Sequence, residues 1–217
     1  MPALESHTLA LSSAPPAAPR SGKRLSLVLR AGTAAAHEAV EHATGLPDAV
    51  TDMAEYRACL SGFARVILPL ERSFEGLGGW EDFGIDLAER ARTPALVADL
   101  THAGIDPDDL APAHVPAPTD LAAGLGALYV IEGSVLGGRI ILDALLGRFG
   151  QDIAGATAFF GGRGPRTGLL WQTFRAALDR FGESEPEAEA AVIAAANQTF
   201  AAFAATFQAH PIRRVRP

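Results

Sequence analysis

The first sustained periodicity begins at Leu25. From there to about Thr44, apolar and polar positions mix at helical intervals until Gly45-Leu46-Pro47 interrupts them, which predicts one helix over 25–44. Thr51 or Asp52 can cap the next run, where Tyr56, Leu60, Phe63, Ile67, Leu70 and Phe74 recur three or four residues apart. Pro69 inside that run is expected to bend it. Shorter helices are predicted around Asp86–Arg92 and Pro94–Ala103, ahead of a Pro-rich connector from Pro107 to Pro118. Asp120 opens a segment closed by Gly150, about eight turns of potential helix, and further helices are predicted at Thr167–Arg180 and Pro186–Gln208. Alternating strand patterns are scarce and no unit recurs. The expectation is a single all-α domain of about seven helices over 23–210, with a Pro- and Ser-bearing tail over 1–22 and a short tail over 211–217.

Composition narrows the classes. In 217 residues, 48% are apolar and 20% charged, enough to build one core and too apolar for general disorder. The net charge of -7 disfavours a general nucleic-acid binder but leaves room for a local basic patch around an anionic ligand. Cys59 is the only cysteine, which excludes disulfides and zinc sites built from several thiolates. In the first 22 residues the longest strongly apolar run, Leu9 to Leu11, is too short for the core of a secretory signal. Arg, Asp or Glu interrupts every later window, so no membrane span is expected, and a cytoplasmic location is.

Glycine is concentrated where a helix should avoid it. Gly126, Gly133 and Gly137 are seven and four residues apart, which puts them on one side of the helix beginning at Asp120, with Gly138 adjacent. Each interior glycine costs about 1 kcal/mol relative to alanine, so packing or a ligand must offset the loss. Close crossing by a bulky neighbouring helix is one explanation. A large flat ligand such as a porphyrin, lying against bare backbone, is the other. A phosphate cradle is not, since no strand precedes the glycines and no Gly-Lys-Ser or Gly-Lys-Thr follows.

His37 lies midway along the first helix. Its imidazole can ligate a metal ion, and Glu41, one turn onward, can orient the other ring nitrogen directly or through water. Arg30, two turns earlier, can meet a ligand carboxylate. The alternative is a surface or structural histidine. Asp99 and His102 have the spacing of half a helical metal site, but no matching carboxylate-x-x-His pair appears elsewhere, so a di-iron bundle is not expected.

Two segments together, LRAGTAAAHEAVEHATGLP at 29–47 and LYVIEGSVLGGRII at 128–141, resemble the heme oxygenase family, in particular its bacterial bacteriophytochrome-associated type. The resemblance covers about Leu25 to Gln208. It implies an all-α heme oxygenase-like fold in which His37 is the proximal ligand to heme iron, and in which Gly133, Gly137 and Gly138 belong to a kinked distal helix over the opposite face. Arg30 and Arg175 match basic positions that hold the heme propionates, with Arg139 a further candidate. Phe159, Phe160, Phe200, Phe203 and Phe207 are aromatic candidates for the macrocycle wall or for the core, and Trp171 is similarly placed. Many members carry an aspartate directly after the first distal glycine, where it organises water; this chain has Ser134, whose hydroxyl lacks the charge and acceptor-only character of a carboxylate. Glu132 cannot replace it, because adjacent helix residues point about 100° apart, and it is expected to pair with Arg139 or Arg65.

The resemblance further implies oxidative opening of heme to biliverdin, carbon monoxide and ferrous iron. Heme would be both substrate and iron-bearing cofactor, O2 the co-substrate, and Ser134, Gly133 and Gly137 the distal groups nearest the reaction. No nicotinamide or flavin fingerprint is visible, so electrons would come from a ferredoxin or a flavoprotein reductase. A bacteriophytochrome would be a possible recipient of the bilin. A non-enzymatic heme carrier or sensor, or a structural protein whose glycines pack another helix, are the competing classes.

Overall fold

The computed structural model describes residues 24–213. Among these residues the regular structure is helical throughout: α1 (Leu25–Gly32), α2 (Ala34–Thr44), α3 (Met53–Phe74), α4 (Leu87–Arg90), α5 (Thr93–His102), α6 (Leu121–Phe149), α7 (Ala158–Gly161), α8 (Thr167–Ser184) and α9 (Glu189–Ala209), linked by short 3-10 turns. Seven of these run eight residues or more; α4 and α7 are single turns. The tail expected over 1–22, and residues 214–217, lie outside the described residues. Packing continues beyond α9, because Ile212 is buried and Arg213 donates to the Asp48 carbonyl at 2.8 Å.

Local signals account for most boundaries. Asp52 caps α3 by accepting from the Glu55 amide at 2.8 Å, and Asp120 caps α6 by accepting from Ala123 at 2.9 Å. Gly45 ends α2 at φ 60°, a left-handed conformation that glycine adopts without steric cost. Helix α3 runs on through Pro69.

The single helix predicted over 25–44 is two helices. Thr33 leaves helical geometry at φ -113° and ψ 0°, its hydroxyl donates to the Leu29 carbonyl at 2.7 Å, and the Gly32 carbonyl is taken at 3.1 Å by the Asn197 side chain of α9. The Leu29 carbonyl keeps its helix bond from the Thr33 amide and accepts the hydroxyl as a second donor, while the α9 side chain supplies a tertiary partner at the break.

Helices α6 and α9 form the most extensive helix pair, and α2 also rests on α9. The segments Leu121–Ile153 and Pro186–Ala209 are long and apolar enough to cross a membrane by length and composition, against the expectation that charges interrupt every such window. Their apolarity is what a central pair needs, since each helix packs against the other. At the centre of the core, Phe63 touches Phe159, Phe160, Phe203 and Phe207 with ring centroids 5.2, 5.7, 5.9 and 5.2 Å away. Tyr56 and Cys59 are fully buried beside it, and burial pushes both of their ionisations well up. Cys59 is therefore an inert core thiol.

Candidate heme site

A cavity of about 890 Å³ opens between α1 and α2 on one side and the middle of α6 on another, with Phe63, Phe159, Phe160 and Phe203 at its aromatic end. His37, Arg30, Glu41, Gly133, Ser134, Gly137, Gly138 and Arg175 all line it. Residues far apart in the chain are thus brought to one space by the packing of α2 and α6 around α9.

His37 is 58% exposed, with Nδ1 3.6 Å from Glu41 Oε1 and its ring edge-on to Phe200 at 5.7 Å. That separation is too long for a direct hydrogen bond, so the carboxylate steers the ring by charge or through water. With Nδ1 turned toward Glu41, Nε2 is the nitrogen left for a ligand. Arg30 is exposed and Arg175 half-buried, so both guanidiniums keep water contact while facing the cavity. Arg139 instead pairs with Asp143 one turn on, at 2.9 Å, and is 72% exposed.

The glycines divide into two groups. A methyl at Gly126 would collide with the Val192 carbonyl, so this glycine lets α9 cross closely. A methyl at Gly138 would sit 2.9 Å from the Phe160 carbonyl; Gly138 edges the cavity but serves contact with α7. At Gly133 and Gly137 an added Cβ meets nothing within 4 Å. Only these two present bare backbone to open cavity, and the packing and ligand explanations each apply to part of one stripe.

Phe207 is not at the cavity. It is fully buried and fills the notch left by Gly62, packed edge-on to Phe63. Phe200 and Phe203, two turns and one turn earlier on α9, do line the space. Position along the axis separates them, while the helical face is shared.

Beneath the glycines lies a buried charge cluster. Glu132 Oε2 is 2.9 Å from Arg90 Nη1, and Oε1 is 2.9 Å from Arg163 Nη2. These are its partners rather than Arg139 or Arg65. Arg90 also donates to the Leu170 carbonyl and to Thr173 Oγ1, each at 3.1 Å, and lies 5.5 Å above the Phe174 ring. Burial holds its pKa below the usual arginine range, an effect that Glu132 opposes. The cluster joins α4, α6 and α8 directly before Gly133.

Sequence reasoning missed Arg92. It is 3% exposed and lines the aromatic end of the cavity. Its backbone amide and that of Thr93 donate to Glu71 at 2.7 and 2.9 Å, so a carboxylate from α3 caps α5. Its guanidinium lies 5.0 Å over the Phe159 ring and donates to the Phe159 carbonyl. Burial pushes its pKa down to about 10, and the nearby Arg163 charge adds to the effect. The available signal was a cation at a helix N-terminus, the end the macrodipole reserves for acids.

The residues fit heme. An imidazole is placed for axial ligation, an open backbone strip can accept a flat face, aromatic rings close one end, and two arginines can meet the carboxylates. No group of three or more His, Cys, Asp or Glu residues capable of holding a metal occurs among the described residues, and the imidazole lining the cavity is that of His37.

The heme oxygenase family profile matches residues 23–209. A heme oxygenase from Xanthomonas campestris pv. campestris (strain 8004) is 39% identical over 114 residues, a match spanning 52% of this chain and 66% of the relative's own length. A solved heme oxygenase from Leptospira interrogans shares the fold, with a TM-score of 0.71 at 20% identity over 86% of this chain and all of that one. With the profile spanning nearly the whole described body and the cavity holding the expected proximal and distal residues, the chain belongs to the heme oxygenase family.

Proposed function

We propose that this chain opens heme oxidatively, with O2 and externally supplied electrons, to biliverdin, carbon monoxide and ferrous iron. The observation that carries the reading is one cavity in which His37 and the open strip at Gly133 and Gly137 share the same space. Bound heme supplies the iron at which O2 is activated and the ring that is cleaved. The protein binds, orients and excludes bulk water. His37 fixes the iron side through Nε2, with Glu41 steering the ring. Arg30 and Arg175, which line the cavity, would meet the propionates with charge-assisted hydrogen bonds and so orient the substrate. The bare backbone at Gly133 and Gly137 leaves room for O2 and water close to the ring.

Ser134 differs from a free hydroxyl. Its Oγ donates to the Ile131 carbonyl at 2.7 Å, so its one proton is engaged and the lone pairs that remain toward the cavity are acceptors. In that respect it approaches the acceptor-only behaviour of the aspartate it replaces, without the charge.

The EGS sequence at 132–134 supports a bacteriophytochrome-associated role, with the bilin passed to a photoreceptor. A ferredoxin or flavoprotein reductase would deliver the electrons, and a cytoplasmic setting goes with that partnership.

An absorption time course of the heme complex with reductant and O2, followed by product isomer analysis, tests the activity. Loss of the Soret band with appearance of biliverdin is expected; a stable heme spectrum without product would overturn the enzyme reading in favour of a carrier. For the ligand, His37→Ala should abolish the histidine-ligated ferric spectrum, and an unchanged spectrum would reject that role.

A further inference from the structure

Asp99 is 1% exposed and does not line the cavity. Its carboxylate serves backbone: Oδ1 accepts from the Ala158 amide at 3.0 Å and Oδ2 from the Phe159 amide at 2.8 Å. Both are first-turn amides of α7, which have no partner inside that helix. A single turn is too short to hold itself, so α7 stands where its side-chain partners put it. Arg92, at the head of the same helix as Asp99, takes the Phe159 carbonyl, and Tyr56 of α3 donates to the carbonyl of Ala156 just ahead.

Helix α7 in turn supports the middle of α6. From Gly133 to Ile141 only Val135 and Gly138 are buried, and both lie against α7. A methyl at Gly138 would sit 2.9 Å from the Phe160 carbonyl oxygen, and one at Gly162, the residue that ends α7, would sit 2.9 Å from Val135 Cγ1. Gly133, Ser134 and Gly137, which line the cavity, belong to the same stretch. Asp99 is therefore linked to the glycine wall through backbone alone, without contact to the space a ligand would fill.

We propose that Asp99 is a positioning residue of the cavity: by gripping the first two amides of α7 it fixes the prop on which Gly133–Ile141 rests, and so the room beside the open glycines. Its consequence at the ligand rests on the heme reading, whereas the link from Asp99 to α6 is a property of the heme-free chain.

Hydrogen exchange of the heme-free protein, resolved by segment, tests the link. Asp99→Asn keeps the volume but presents a donor where one amide needs an acceptor. It should speed exchange over 158–161 and, with it, over 133–141 by about tenfold, the cost of one hydrogen bond to a charged acceptor, while 124–132 stays as in wild type. A role confined to α7 would speed 158–161 alone, and that result would overturn the proposal. In the heme complex of the same variant, histidine ligation should persist and the stretching band of carbon monoxide bound to ferrous heme should shift or broaden, because that band reads the space and polarity beside the ligand. A band identical to that of wild type would equally overturn it. Wild type that binds no heme would overturn the heme reading, and with it the consequence at the ligand, whatever the exchange result. Should Asp99→Asn not fold, native-state exchange of wild type in sub-denaturing urea decides: 158–161 and 133–141 should open as one unit, with one free energy and one urea dependence. Separate openings would refute the link.

Discussion

Arg90 and Glu132 lie 2.9 Å apart with side chains only 3% and 1% exposed, and Glu132 immediately precedes the first glycine of the open strip. Breaking such a pair leaves an uncompensated buried charge. Glu132→Ala should therefore destabilise the heme-free protein by about 3–5 kcal/mol, read as a lower urea midpoint. An unchanged midpoint would mean that the two arginines find other partners.

The two kinds of glycine should respond oppositely to alanine. Gly126→Ala forces a methyl into the α9 backbone and should cost about 1–3 kcal/mol through overpacking. Gly133→Ala has open space and should stabilise the empty protein by about 0.5–1 kcal/mol, the helix-propensity difference. The same methyl projects toward the bound ring, so heme affinity should fall roughly tenfold. Urea unfolding paired with heme titration checks both arms.

Helix α2 has one buried residue, Thr44, in eleven. An element so thinly packed belongs to the low-stability end of the structure. Heme binding should raise amide protection in α2 more than in α3, and heme at a hundred times its Kd should stabilise the fold by about 2.7 kcal/mol. Equal protection gains across both helices, measured by hydrogen exchange, would contradict this.

At the start of α3, Glu55 accepts from the Thr51 amide at 2.6 Å and from the Thr51 hydroxyl at 2.5 Å. The hydroxyl bond chiefly holds its carboxyl below the ordinary value of 4.5, against partial burial. The folded pKa is depressed, so this contribution to stability is full above the ordinary value and is lost as pH falls through the folded one. The stability gap between wild type and Glu55→Gln should be constant near neutrality and shrink on acidification. A gap independent of pH down to acid unfolding would refute the assignment.

How far the fold was legible depended on whether its causes were local. Helices α3 and α6 could be read because Asp52, Asp120 and Gly150 mark their ends in the chain itself. The break at Thr33 could not, since Asn197 of α9 takes the carbonyl that would continue the helix. Glu132 was referred to Arg139 and Arg65, whereas the fold supplies Arg90 and Arg163. In the site, His37 and the glycine spacing were visible as periodic features and gained meaning through resemblance. Phe207 shows the limit of periodicity, which gives a side chain's direction but not the level along the axis at which a cavity lies. Arg92 had no periodic signature, because its role comes from what surrounds it.

Helix α6 is also unevenly held along its length. From Gly124 to Glu132 every residue except Tyr129 is buried, while from Gly133 to Ile141 only Val135 and Gly138 are. Mechanically this is a span held at both ends, by Glu132 on one side and by the buried Leu142 and Leu145 on the other. A change that shifts Arg90 or Arg163 moves one support of that span, and so should alter the room beside Gly133 although neither arginine lines the cavity.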